Sequence, residues 1–159
     1  MITIEEALVR VGEELKKTMA QELRDNGTYN TGRLASSIQY KVEQRQYEYN
    51  LVRTMLKYGD YVDQGIGRGP GKRPPVKEII EWIKFKRIQV PVGLTIESFA
   101  FAIAAKIGRE GTNPRPRPFI TPSINTVLKT TGKELLEKAG VDTVTVNINN
   151  ELRDIKIKG

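Results

Sequence analysis

The sequence predicts an α+β fold: an antiparallel β-sheet packed by long N-terminal and C-terminal-half helices, with a helical insertion and a C-terminal β-hairpin. Three observations carry this. Apolar residues recur at steps of three and four in residues 3–25, 76–87, 95–107 and 119–139, as a helix with one buried face requires. They alternate in residues 38–56 and 143–158, the two-residue period of strands. Two irregular runs, YGDYVDQGIGRGPG (58–71) and PRPRPFITP (114–122), punctuate the chain between these stretches. The reading is one domain over residues 1–140, with a helical insertion at about 72–108 and a strand-forming extension at 141–159.

In the first helix Ile4, Leu8, Val11, Leu15 and Met19 form the stripe, and Thr3 with Glu6 has the capping-box spacing. Asp25-Asn26-Gly27 stops it, since Asn or Gly tolerates a left-handed cap. Thr31 is expected to cap a short helical turn that leads into a strand bearing Ile38, Tyr40 and Val42. Gln44-Arg45-Gln46 reads as the hairpin tip, and Tyr47, Tyr49, Leu51 and Arg53 return on one face.

Residues 58–71 contain five glycines, so the segment reads as a Tyr-Gly turn and loop or as a place where another backbone comes close. Pro74-Pro75 then marks an extended approach to a helix with Val76, Ile79, Ile80 and Ile83 on its buried face. Trp82 and Phe85 lie off that face, and Trp82 and Phe101 are expected in the core. Val90-Pro91-Val92-Gly93 breaks the pattern, and Thr95 begins a helix with Ile96, Phe99, Ile103 and Ile107. Residues 108–118, rich in Pro and Arg, read as extended backbone. One helix follows from Phe119 to about Ala139, ended by Gly140. The tail alternates as Val144-Val146-Ile148 and Leu152-Ile155-Ile157 about a turn at 149–151.

Composition narrows the chemistry. The 159 residues include neither Cys nor His, which removes disulfides, thiolate metal sites, the Ser-His-Asp triad and the commonest general base. No apolar run approaches the roughly 20 residues of a membrane span, and MITIEE lacks the blocks of a signal peptide. No catalytic, cofactor or metal site is expected. A net charge of +7 directs attention to polyanions or acidic protein surfaces.

The glycine run does not fit a phosphate cradle. Ile66 stands where the first glycine of a P-loop belongs and Arg73 where its hydroxyl belongs, while Pro70 breaks a G-x-G-x-x-G frame. Glu5/Glu6 and Glu13/Glu14 read as solvated helix faces, and Asp60 and Asp63 as loop hydrogen-bonders or interface charges. Arg68, Lys72, Arg73, Lys84, Lys86 and Arg87 form a candidate surface for DNA or an acidic partner, extended by Lys77, Lys106, Arg109, Arg115 and Arg117 if the two irregular runs meet. No sequence-reading module surrounds them.

Three short elements in fixed order resemble the neck or tail-completion proteins of tailed bacteriophages, also called head–tail connector or minor tail components. They are TGRLASSI (Thr31, Gly32, Leu34, Ser37, Ile38), YGDYVDQG (Tyr58, Gly59, Tyr61, Val62, Gly65) and RPFITP (Arg117, Pro118, Phe119, Ile120, Pro122). Asp63 stands where that family commonly has Glu, Ile66 where it has Thr and Ser123 where it has Ala. The resemblance spans roughly residues 5–140. It implies a non-enzymatic structural virion protein, made and assembled in the host cytoplasm. Its implied partners are copies of itself in a homo-oligomeric ring, the portal or adaptor, and tail-tube or tail-terminator proteins, with non-specific contact to genomic DNA and none to membrane. On that basis Tyr58, Tyr61, Asp63, Arg115, Arg117 and Phe119 are candidate subunit or partner contacts. A free, non-sequence-specific DNA-binding protein is the alternative. A carboxylate-dependent nuclease using Asp60 or Asp63 is the third reading, with no ligand set to support it.

Overall fold

The structure, a computed structural model, describes residues 1–29, 32–67, 69–148 and 153–158, with backbone alone from residue 145 onward. The chain is a mixed helix and strand protein that divides into two compact units. One comprises Met1–Asp63 with Arg117–Gly159, and the other Gln64–Pro116.

In the first unit, helix α1 (Ile4–Asp25) starts at the expected capping box: the Glu6 amide donates to Thr3 Oγ1 at 3.1 Å and the Thr3 amide to Glu6 Oε2 at 2.9 Å. Leu8, Val11, Leu15, Met19 and Leu23 are fully buried along one face, so the three-and-four spacing became the core. Gly12 lies on the same helix. A Cβ there would come within 2.9 Å of Tyr40 Cβ, so the missing side chain is what lets the helix lie close on the sheet.

Helix α2 (Arg33–Ser37) follows its N-cap residue Gly32, which takes a left-handed φ of 76°. Thr31, expected to cap this turn, lies outside the described residues. Strands β1 (Gln39–Arg45) and β2 (Glu48–Thr54) pair antiparallel from Gln39↔Thr54 to Arg45↔Glu48. The turn is Gln46-Tyr47, not 44–46, with Gln46 at a φ of 52°. Tyr47 is thus an exposed tip residue and not part of a buried face. Asn50, Leu51, Val52 and Arg53 are buried in succession, without the expected alternation. β2 is an interior strand of a sheet in the order β1-β2-β4-β3, in which β3 is Thr143–Ile148 and β4 is Arg153–Lys158. Strands β3 (Thr143–Ile148) and β4 (Arg153–Lys158) form the C-terminal hairpin, and β4 pairs with β2. The turn expected at 149–151 lies outside the described residues except for its flanking strands.

The largest departure is helix α3 (Tyr58–Gln64), where a Tyr-Gly turn and extended backbone were expected. One glycine inside a helix costs only about 1 kcal/mol relative to Ala. Gly59 offsets this by packing: it is buried, and a Cβ would lie 2.9 Å from Leu34 Cδ1 and 2.8 Å from Met55 Sδ. The other glycines of the run, beginning with Gly65, lie beyond the helix end.

The last expected helix is two, α6 (Ile120–Lys129) and α7 (Thr131–Lys138). Thr130 breaks them with φ −119° and ψ −116°, and its hydroxyl donates to the Thr126 carbonyl at 2.7 Å. Gly132 makes the bend tight, since a Cβ would sit 2.6 Å from the Val127 carbonyl oxygen. Ile120, Ile124, Val127 and Leu136 join the core against α1.

The second unit is an αα-hairpin of α4 (Val76–Lys86) and α5 (Ile96–Glu110). Pro75 is the N-cap residue of α4, and Thr95 with Ser98 caps α5 reciprocally. Its fully buried residues are few and mostly small: Pro74, Ile83, Ala100 and Ala104. The isoleucines expected on the buried face of α5 are only partly buried, and Ala100 and Ala104 take its buried positions. The helix also runs past Gly108, so the irregular run begins at Gly111.

Candidate functional site

The two irregular runs do lie side by side. In the first unit the Arg117 amide donates to the Val62 carbonyl at 3.1 Å. In the second, the Gly71 amide donates to the Gly108 carbonyl at 2.7 Å. A Cβ at Gly65 would lie 2.5 Å from the Pro116 nitrogen, and one at Gly67 would collide with the Thr112 carbonyl. The glycines are needed because another backbone comes close.

Asp63 and Phe119, expected at an interface, are instead internal. Phe119 is 0% exposed and Asp63 is buried. Helix α6 begins at Phe119, a residue with no side-chain oxygen to cap it. Asp63 does that from 57 residues away, accepting from the Phe119 amide at 2.9 Å and the Ile120 amide at 3.0 Å. A carboxylate at a helix N-terminus also suits the helix dipole. Of the two sequence readings of Asp63, hydrogen-bonder is the one its geometry shows, though from a helix and not a loop.

Arg117 is structural as well. Its Nη1 donates to the Asn26 carbonyl at 2.6 Å, at the C-terminus of α1, where a cation is favourable. Asn26 Nδ2 returns a bond to the Pro118 carbonyl at 3.2 Å. Nothing in the sequence signals this Asn26 link, because its partners are some 91 residues distant.

The segments TGRLASSI, YGDYVDQG and RPFITP therefore form one joint. Leu34 packs on Gly59, Val62 holds Arg117, and Asp63 caps α6. Tyr58 and Tyr61 remain exposed on α3. Partial burial raises the Tyr58 phenol above its ordinary value of 10.0, against the opposing effect of nearby Arg33.

The remaining candidates belong to the second unit, apart from Arg68, which lies outside the described residues. Lys72, Arg73, Lys84, Lys86, Arg87 and Arg115 are all exposed. Arg73 stacks over Phe101 at 5.5 Å and runs against Gly108, while Lys86 lies 5.9 Å from the Phe85 ring centroid. Trp82 and Phe101, expected in the core, are 42% and 55% exposed. The reason is the short inner face of this unit, which is already filled by Ile83 and the alanines. Residues 64–116 hold ten Lys and Arg against four Asp and Glu, a net +6 of the chain's +7. Sequence reading had this charge but missed the exposed apolar Val92 and Leu94 between the helices.

Among the described residues no group of three or more His, Cys, Asp or Glu could hold a metal ion. No described helix is long and apolar enough to cross a membrane. No family model, curated protein or solved structure matches the chain.

Proposed function

We propose that this chain is a structural virion protein of a phage neck, a ring subunit that joins the head, at the portal or adaptor, to the tail or completes the tail. The observation that carries the reading is the joint. Three short elements that resemble the neck family in order are also the ones that meet, with Gly59 on Leu34, Arg117 on Val62 and Asp63 on the start of α6. Residues so coupled are a fold signature, and their roles explain why glycine, a carboxylate and Arg-Pro-Phe occur at those places. The exposed basic hairpin then meets the partners, and the reading assigns no chemistry to it.

The mass of the purified protein, alone and mixed with the portal or tail-tube protein, tests this. Recruitment into a closed ring on either is the expected result and says which end the subunit serves. A persistent monomer that ignores both and binds duplex DNA with steep salt dependence favours the second reading, a free DNA-binding protein. That alternative is supported by one observation, the concentration of net charge in residues 64–116.

A further inference from the structure

The turn joining α4 to α5 is built, not loose. The Ile88 amide donates to the Ile83 carbonyl at 3.0 Å behind Arg87, which takes a φ of 52° to end α4. The Leu94 amide donates to the Pro91 carbonyl at 3.1 Å, with Gly93 at a φ of 88° inside the turn. This ordered turn presents Val92, 104% exposed, and the half-exposed Leu94. Exposed Lys84 and Arg87 stand just before it. Phosphates would satisfy the cations but offer nothing to two aliphatic side chains held out on a fixed turn.

The complementary surface is on the same chain. The first three turns of α1 carry Glu5, Glu6, Glu13 and Glu14 with Arg10; Glu6 accepts from the Thr3 amide and Glu14 pairs with Lys17 at 3.0 Å, while Glu5 and Glu13 are exposed. An open groove there is lined by Thr3, Glu5, Glu6, Val9, Arg10 and Glu13. Val9, an exposed aliphatic residue, lies among the carboxylates. An apolar tip with a basic collar on one unit and a single exposed valine between carboxylates on the other are complementary in both respects.

We propose that the α4–α5 turn of one copy docks on the α1 groove of a second copy, with Val92 and Leu94 against Val9 and with Lys84 and Arg87 facing Glu5 and Glu13. The contact uses different patches on the two partners, so it is heterologous and propagates from copy to copy. The preformed turn reduces the ordering entropy lost on binding. This inference rests on the reading of the chain as a self-assembling subunit and names the surfaces that reading needs.

Two charge-reversed forms of the full chain test it: a tip variant, Val92→Asp with Arg87→Glu, and a groove variant, Glu5→Lys with Glu13→Lys. All four positions are exposed, and circular dichroism checks that both variants stay folded. By sedimentation velocity the parent chain associates with rising concentration, and each variant alone associates about tenfold or more weakly. Mixed in equal amounts, the two variants associate again, because the intact tip of one pairs with the intact groove of the other. A parent chain monomeric at hundreds of micromolar, variants that associate like the parent, or a mixture that fails to pair each overturns the contact. So does a tip variant whose only loss is binding to phosphatidylserine vesicles or to duplex DNA. Recruitment to the portal or tail-tube protein is measured on the same samples. Recruitment without self-association removes this contact and leaves the neck reading, and self-association without recruitment does the reverse.

Discussion

The two compact units of the chain differ in what they bury and what they show. Residues 1–63 and 117–159 hold a continuous core, with Leu8, Leu15, Met19, Leu23, Phe119 and Ile120 fully buried, and a net charge of only +1. Residues 64–116 bury Pro74, Ile83 and two alanines, carry +6 and leave Trp82, Phe85, Val92, Leu94 and Phe101 exposed. The contrast separates two kinds of constraint. In the first unit polar residues serve the fold, as Asp63 and Arg117 do at helix ends. In the second, a short αα-hairpin buries few and mostly small residues and leaves large apolar side chains on both helices and their turn exposed.

The sharpest way to break this contrast is in the first core. Phe119→Ala removes a fully buried ring and is expected to cost about 3–5 kcal/mol, read as a fall in the urea midpoint. A loss below about 1 kcal/mol would mean that Phe119 is not the core residue its burial indicates. Asp63→Ala comes next. It leaves two buried amides at the start of α6 without their acceptor, for an expected loss of about 1–3 kcal/mol.

Native-state hydrogen exchange compares the units without mutation. Amides in the middle of α4 and α5 should exchange through smaller openings than those in the middle of α1, because fewer apolar contacts hold them. Equal protection would merge the units into one cooperative body. In the second unit, Trp82→Ser should change stability by no more than about 0.5 kcal/mol, since the ring is half in water already. A larger loss would place Trp82 in the fold and not in a contact.

The smallest effect is at the start of α1. The hydrogen bond from the Thr3 backbone amide holds the Glu6 carboxyl below its ordinary value of 4.5. The folded value is the lower one, so the capping box stabilises α1 fully above the ordinary value and loses that effect as pH falls through the lowered one. Protection of the amides at residues 3–6, measured against their intrinsic exchange rates, should fall over that acid range while protection at the centre of α1 is unchanged.

Legibility followed the range of the interaction. The α1 capping box, its buried stripe and the antiparallel β1–β2 pairing could be read because each depends on neighbours a few residues apart. The reading of residues 58–71 mistook a helix for a turn, since the packing of Gly59 on Leu34 and Met55 outweighs its weak helix propensity. For the glycines of the same run the sequence left a turn, a mobile loop and a close backbone approach open; close approach holds at Gly65 and Gly67, while Gly69 and Gly71 stand in open space. The break at Thr130 escaped because the apolar stripe continues across it from Val127 to Leu135. Trp82 and Phe101 were placed inside on residue type alone, when the room available to them depends on how many other elements cover α4 and α5.

By itself, then, the sequence determined the helix and strand periods, the capping box of α1, the start of α5 at Thr95, the absence of thiol and imidazole chemistry, and the clustering of basic residues from Arg68 to Arg87 and from Lys106 to Arg117. Only the tertiary structure decided that Asp63 caps a helix 57 residues away, that Arg117 holds the end of α1, and that the apolar side chains of the α4–α5 turn face outward. The physical reason is that periodicity and capping are properties of one segment. A hydrogen bond between distant residues, or a side chain left in water, depends on which other surfaces the folded chain brings to it.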